Sequence, residues 1–125
     1  MKPEQFIKRY GINEAKKIID KAPNGTTHIH SVTWQNYMQG EGNNYVWCGS
    51  GRDGWYFSIY DTLNGMVALE DLKRLVESLG YVSRWGGIER CKRLYFEAPF
   101  KRDKHIKDLK RYIRDYESIY GGGDE

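Results

Sequence analysis

The stretch YVSRWGGIERCKR, Tyr81 to Arg93, repeats with one added glycine a phrase written near the start of the chain as FIKRYGINEAKK, Phe6 to Lys17. Both copies read aromatic, β-branched, any residue, Arg, aromatic, Gly, Ile, two variable positions, a small apolar residue and two basic ones. Gly11 and Gly86 permit positive φ at a helix end, and the isoleucine that follows starts the next helix facing inward. Each copy therefore predicts a helix, a glycine break and a second helix, with Tyr10 or Trp85 packed over the corner. Such joints occur in DNA-binding helix-turn-helix units and in plain helix hairpins alike. A recognition helix offers base-reading polar residues on its first turns, whereas Asn13-Glu14 and Glu89-Arg90 place acids there. The phrase reads as a structural joint.

The flanking residues extend this pattern. Pro3 suits the first helical turn and Glu4 complements the helix dipole, so Pro3 to Tyr10 is predicted as a helix. Asn13 is the expected cap of a second helix, Glu14 to Ala22, stopped by Pro23-Asn24-Gly25. Between Thr26 and Tyr60 the composition turns to Val, Ile, Thr and aromatics, broken by GEGNN at 40 to 44 and GSGRDG at 49 to 54. That predicts three antiparallel strands near 27 to 38, 44 to 48 and 55 to 60. A turn at Asn64-Gly65 allows Met66 and Val67 to pair back onto the sheet. From Leu69 the period is helical, through Leu72, Leu75, Val76 and Leu79, with Gly80 as the expected terminator. After the second joint come a helix from Ile88 to about Ala98, ended by Pro99, and a last helix capped by Asp103.

The fold class expected is α+β: an N-terminal helix pair, a three-stranded antiparallel β-sheet and three C-terminal helices packed on one sheet face. Residues 1 to 120 are expected to form a single domain, since 125 residues suffice for one core and two domains would each be too small. Residues 121 to 125, GGGDE, read as a disordered tail. The expected core comprises Phe6, Ile12, Ile18, Ile19, Ile29, Phe57, Ile59, Leu72, Leu75, Val76, Ile88, Leu109, Ile113 and Tyr116.

A mean hydropathy of -0.78 is low for a folded domain, but ten tyrosines and four tryptophans argue against disorder. No apolar run is long enough to cross a bilayer, and MKPEQFIKRYG lacks the apolar stretch of a signal peptide, so a cytoplasmic protein without a membrane partner is expected. Cys48 and Cys91 then read as free thiols. From Arg84 to Arg114 there are eleven Lys or Arg against four Asp or Glu, while the remainder carries nine against thirteen. That asymmetry suits either an acidic partner or a solvated helix surface.

With these residues in hand, the chain resembles a group of small accessory proteins of lambdoid phages and prophages. The likeness rests on KPEQFIKRYGINEAKKIIDKAPNGTTH, on DLKRLVES followed by WGGIERCK, and on DLKRYIRDYESIYGG. It covers about the first 28 residues and 69 to 121, leaving the aromatic middle as the variable part. The resemblance transfers no activity. It implies expression in a bacterial host cytoplasm on behalf of a phage, where such proteins bind and modify host or competitor functions.

The residues that could carry chemistry are few. His28 and His30, two apart on a predicted strand, share a face and have Cys48 as the best third ligand, a weak metal pattern. GSGRDG lies between strands and does not lead into a helix, so it lacks the geometry of a phosphate cradle. No local motif marks either thiol as activated, and Glu70-Asp71 and Asp103 read as helix-start residues. The expectation is a non-catalytic protein with no cofactor and no metal. The rings from Trp34 to Tyr60 outnumber what one sheet face needs for its core. Exposed rings beside arginine anchor protein interfaces, which selects Trp34, Trp47, Arg52 and Tyr56 as the surface for a host or competitor protein. Rings of this kind also suit a homodimer. The alternative is single-stranded or non-specific nucleic-acid binding through Lys92, Arg93, Lys107, Lys110, Arg111 and Arg114, with rings stacking on bases.

Overall fold

A computed structural model of the chain describes residues 1–49, 54–99 and 104–121. The chain divides into two compact units, Met1–Lys73 and Arg74–Glu125. The first holds helices α1 (Pro3–Tyr10) and α2 (Ile12–Lys21), strands β1 (His28–Ile29), β2 (Asn36–Gln39), β3 (Asn44–Cys48), β4 (Gly54–Phe57) and β5 (Val67–Ala68), and the first residues of α3 (Leu69–Arg84). The second holds the rest of α3 with α4 (Ile88–Glu97) and α5 (Lys104–Tyr120). The fold is α+β, as the sequence predicts, but among the described residues its antiparallel sheet has five strands in the order β4-β3-β2-β1-β5 instead of three.

Pro3 occupies the first turn of α1, with Glu4 near its N-terminus and Lys8 and Arg9 in its last turn, where each charge complements the dipole. Gly11 ends α1 at φ 92 and ψ 160, its N–H donating to the Ile7 carbonyl at 2.8 Å, and its own carbonyl accepts from Ala15 N at 3.3 Å. One residue thus closes α1 and opens α2. Asn13 is not the cap: Gly11 holds that position and Asn13 lies in the first turn of α2. The second joint follows the same plan with both glycines at positive φ, Gly86 at 99 and Gly87 at 106. Gly87 N donates to Val82 O at 2.9 Å and Gly87 O accepts from Cys91 N at 3.1 Å. The small apolar residue of the repeated phrase, Ala15 in one copy and Cys91 in the other, is fully buried in both. Gly80, the expected terminator, lies inside α3, which runs four residues further to Arg84. Its backbone is helical, and the apolar stripe outweighs the weak helix propensity of one glycine.

The first predicted strand, 27 to 38, is two strands separated by a tight turn. His30 N donates to Gln35 O at 3.0 Å and Trp34 N to His30 O at 2.9 Å. The His30 ring fixes that turn, since its Nδ1 accepts from Val32 N at 3.1 Å and Thr33 N at 3.2 Å. The β-branched residues there suggested a strand, but these side-chain bonds offer the backbone an alternative to the ladder. The return after Asn64-Gly65 does form a strand: β5 pairs with β1 through Val67↔Ile29 and Ala68↔His28.

In the first unit Phe6, Ile7, Ala15, Ile29, Leu63, Val67, Leu69 and Leu72 are buried. In the second, Val82, Cys91, Leu109 and Tyr112 form a cluster against which Tyr81, Ile88, Leu94, Tyr95, Ile113 and Tyr116 pack. Asp115 is buried beside it, accepting from Ser78 Oγ at 2.6 Å and lying 3.6 Å from the Arg74 guanidinium. Two expected core residues are wrong: Phe57 is 73% and Ile59 91% exposed. Alternation put both on the inner face, but β4 is the sheet's edge and ends at Phe57, so Ile59 lies past it. Of the other expected core positions, Ile12, Ile18, Ile19, Val76, Ile88, Ile113 and Tyr116 are half-buried. Asp103 and residues 122 to 125 lie outside the described residues. Among the described residues, no helix is long and apolar enough to cross a membrane.

Candidate functional site

The β3–β4 ribbon carries most of the rings in the middle of the chain. Its register pairs Tyr45 with Phe57, Val46 with Tyr56, Trp47 with Trp55 and Cys48 with Gly54. Beyond the strand, Ser58 N donates to Asn44 O at 2.8 Å, which makes 44 and 58 a hydrogen-bonded pair. By alternation, Tyr45/Phe57 and Trp47/Trp55 are the pairs without ladder bonds, where side chains approach most closely. Their rings do so: Tyr45 stacks on Phe57 at 5.4 Å and 28°, and Trp47 meets Trp55 edge-on at 5.3 Å and 70°. The same alternation turns the main-chain N–H and C=O of Trp55 and Phe57 away from β3, toward the free edge. Among the described residues no strand pairs with that edge. Tyr56, Phe57, Ile59 and Tyr60 are all exposed.

The residues selected from sequence do not form one surface. Trp47 projects with Trp55 from one face of the ribbon, whereas Tyr56, paired with Val46, projects from the other. Arg52 lies outside the described residues. Trp34 sits in the turn between β1 and β2, at φ 62, a conformation that costs a bulky residue about 1–3 kcal/mol. That turn lays its indole against the first joint, 6.0 Å from Phe6 and 5.3 Å from Tyr10. Its Nε1 is buried with no hydrogen-bond partner among the described residues. Beside it, Glu14, Lys17, Ile18, Lys21 and Asn36 complete the lining of a cavity of about 260 Å³. Phe57 and Ile59, which the sequence reading assigned to the core, are the most exposed apolar side chains of the ribbon and its continuation. The edge position that exposes them leaves no mark in period-two alternation.

His28 and His30 do not converge. His28 Nδ1 lies 2.8 Å from the Thr27 hydroxyl, while His30 caps its turn and packs near Tyr37 and Tyr60. Burial pushes the His28 imidazole below its ordinary value, and the nearby Asp71 carboxylate partly offsets this. His28 opens with Gln39, Asn44, Asp61, Thr62 and Asn64 onto a polar cavity of about 350 Å³. The Asn44 amide is committed there, donating to Tyr60 O at 3.2 Å and Asp61 O at 3.0 Å. Among the described residues, no three His, Cys, Asp or Glu side chains gather in a metal-binding arrangement. Both thiols are free, and burial raises the pKa of Cys91, which disfavours its thiolate.

In the second unit, two of the six candidate basic residues form ion pairs among the described residues: Lys92 with Glu117 at 3.8 Å and Arg111 with Glu77 at 3.3 Å. Lys107, Lys110 and Arg114 are exposed on α5, where steps of three and four put them, with Lys104 and Arg111, on one stripe. Arg93 is exposed on α4. At the second joint, Tyr81 and Tyr112 stack at 4.6 Å and 13°, with the Arg84 and Arg111 guanidinium groups over the respective rings at 5.3 and 5.0 Å. Trp85 stands beside them, 43% exposed. The sequence reading missed this ring pair, although the repeated phrase marks Tyr81 and Trp85 as the counterparts of Phe6 and Tyr10.

No protein-family model matches the chain, no curated protein matches it, and no solved structure matches its fold.

Proposed function

We propose that this chain is a non-catalytic binding protein that adds an extended segment of a partner protein to the free edge of β4. The observation that supports the reading is the coincidence of an unpaired strand edge with exposed apolar side chains. Edge strands are normally blunted by charge or proline, and Gly54-Trp55-Tyr56-Phe57 has neither. Strand addition draws affinity from main-chain hydrogen bonds and specificity from alternate side chains. Trp55 and Phe57 supply the first, and Tyr56, Phe57 and Ile59 the second. Burying an exposed Phe or Ile contributes about 1.5–3 kcal/mol, and aromatic anchors dominate interface energetics. The partner proposed is a host or competitor protein, the setting that the likeness to phage accessory proteins implies.

The test is a paired pull-down from bacterial lysate with the tagged full chain and a Phe57→Lys, Ile59→Lys variant whose circular dichroism is unchanged. A protein recovered by the parent and lost with the variant is expected, with the free chain running as a monomer on sizing. Equal recovery by both, or recovery of nucleic acid alone, would overturn the reading. Self-association abolished in the variant would instead make the partner a second copy of this chain.

A second reading is nucleic-acid binding through Lys92, Arg93, Lys107, Lys110, Arg111 and Arg114. The cationic stripe along α5 favours it, and its signature is affinity that falls steeply with salt.

A further inference from the structure

We propose that the second joint takes one unpaired base of a single-stranded nucleic acid against Trp85, with the flanking phosphates running along the α5 stripe that starts at Lys104. The proposal rests on the nucleic-acid reading and goes beyond it by naming a base-sized pocket that none of those six basic residues lines.

The two joints share one plan, and in the first an indole lies against the two aromatic positions of the phrase, Trp34 on Phe6 and Tyr10. The corresponding positions in the second are Tyr81 and Trp85, and both line a cavity of about 290 Å³. Trp85 is 43% exposed and makes no ring–ring pair among the described residues. At the second joint Tyr112 already stacks on Tyr81 at 4.6 Å and 13°, so the ring left facing the cavity and solvent is that of Trp85.

The rest of the lining is Lys104, His105, Asp108 and Tyr112. A cavity of this size lies at the lower end of the range for ligand sites, so it suits a base while the sugar and phosphate remain outside. Lys104, Lys107 and Arg114 follow at helical spacing along α5, where a strand's phosphates would meet them. Stacking on an exposed ring beside cations is how single-strand binders hold bases without reading a duplex. Among the described residues Asp108 is the one carboxylate in the lining. It repels phosphate but accepts from the exocyclic amine of cytosine, so the pocket should prefer cytosine to thymine.

The experiment measures anisotropy of labelled oligo-dC and oligo-dT of about twelve nucleotides at low salt, using the full chain and its Trp85→Ala, Trp85→Phe and Asp108→Asn variants. Expected are salt-dependent binding, about a tenfold loss in Trp85→Ala, recovery of most of it in Trp85→Phe, and loss of the dC preference in Asp108→Asn. Salt-dependent binding that Trp85→Ala leaves unchanged would overturn the pocket and leave the nucleic-acid reading standing. No binding by any form at low salt would overturn both.

Discussion

The two copies of the joint share a backbone and differ in what covers their rings. In the first, Phe6 and Tyr10 meet at a tilt of 51° with centroids 4.8 Å apart, and Trp34 from the β1–β2 turn packs edge-on against both. In the second, Tyr81 is stacked by Tyr112, while Trp85 borders an open cavity. The glycine and the small buried residue are common to both, so they belong to the joint as a structural device. The ring cover is not common, so it marks where the copies have parted. A closed copy can only stabilise, whereas an open one has surface to offer.

The largest expected effect breaks the comparison at its cover. Trp34→Ala should cost about 3 kcal/mol in chemical denaturation because it strips a large ring from Phe6 and Tyr10, while the matching change Trp85→Ala should cost less than about 1 kcal/mol. Trp34→Gly should be milder than Trp34→Ala by about 1 kcal/mol, since glycine relieves the strain at φ 62. Equal losses at Trp34 and Trp85 would mean that the second ring is as enclosed as the first.

The next effect tests what the copies share. Gly11→Ala and Gly87→Ala should each cost about 2 kcal/mol, because φ 92 with ψ 160 and φ 106 with ψ 170 lie in a region open essentially to glycine alone. Gly80→Ala, inside α3 with nothing within 4 Å of the added methyl, should stabilise by about 0.5–1 kcal/mol. A stabilising Gly87→Ala would remove the equivalence of the two joints.

A smaller effect than at the hinge glycines is expected at the buried small residue. Cys91→Ala, which copies the first joint into the second, should cost about 1 kcal/mol. In the unmodified chain, thiol labelling under native conditions should modify the half-buried Cys48 well before Cys91, whose burial both shields it and raises its pKa.

The joints were legible in the sequence because glycine at a helix end and a buried residue one turn later are local demands. The strand pattern was legible only where a turn carried glycine: GEGNN closes β2 onto β3, while the turn at 30 to 35 is held by the His30 ring and hid inside a β-branched run. Position in the sheet was not legible. Alternation separates Phe57 from Tyr56 but says nothing of which strand ends at an edge, and so Phe57 and Ile59 were read as core. For the same reason Trp34, Trp47 and Tyr56 looked like one surface, although a turn diverts the first and pairing register sends the other two to opposite faces.

The central claim is that recognition occurs at the β4 edge, and amide hydrogen exchange on the full chain tests it most directly, with and without the protein recovered in the pull-down. The account predicts that exchange of the Trp55 and Phe57 amides, which face outward in the free chain, slows markedly on addition of that protein. Unchanged exchange from Gly54 to Phe57, with slowing confined to another surface such as α5, would contradict it.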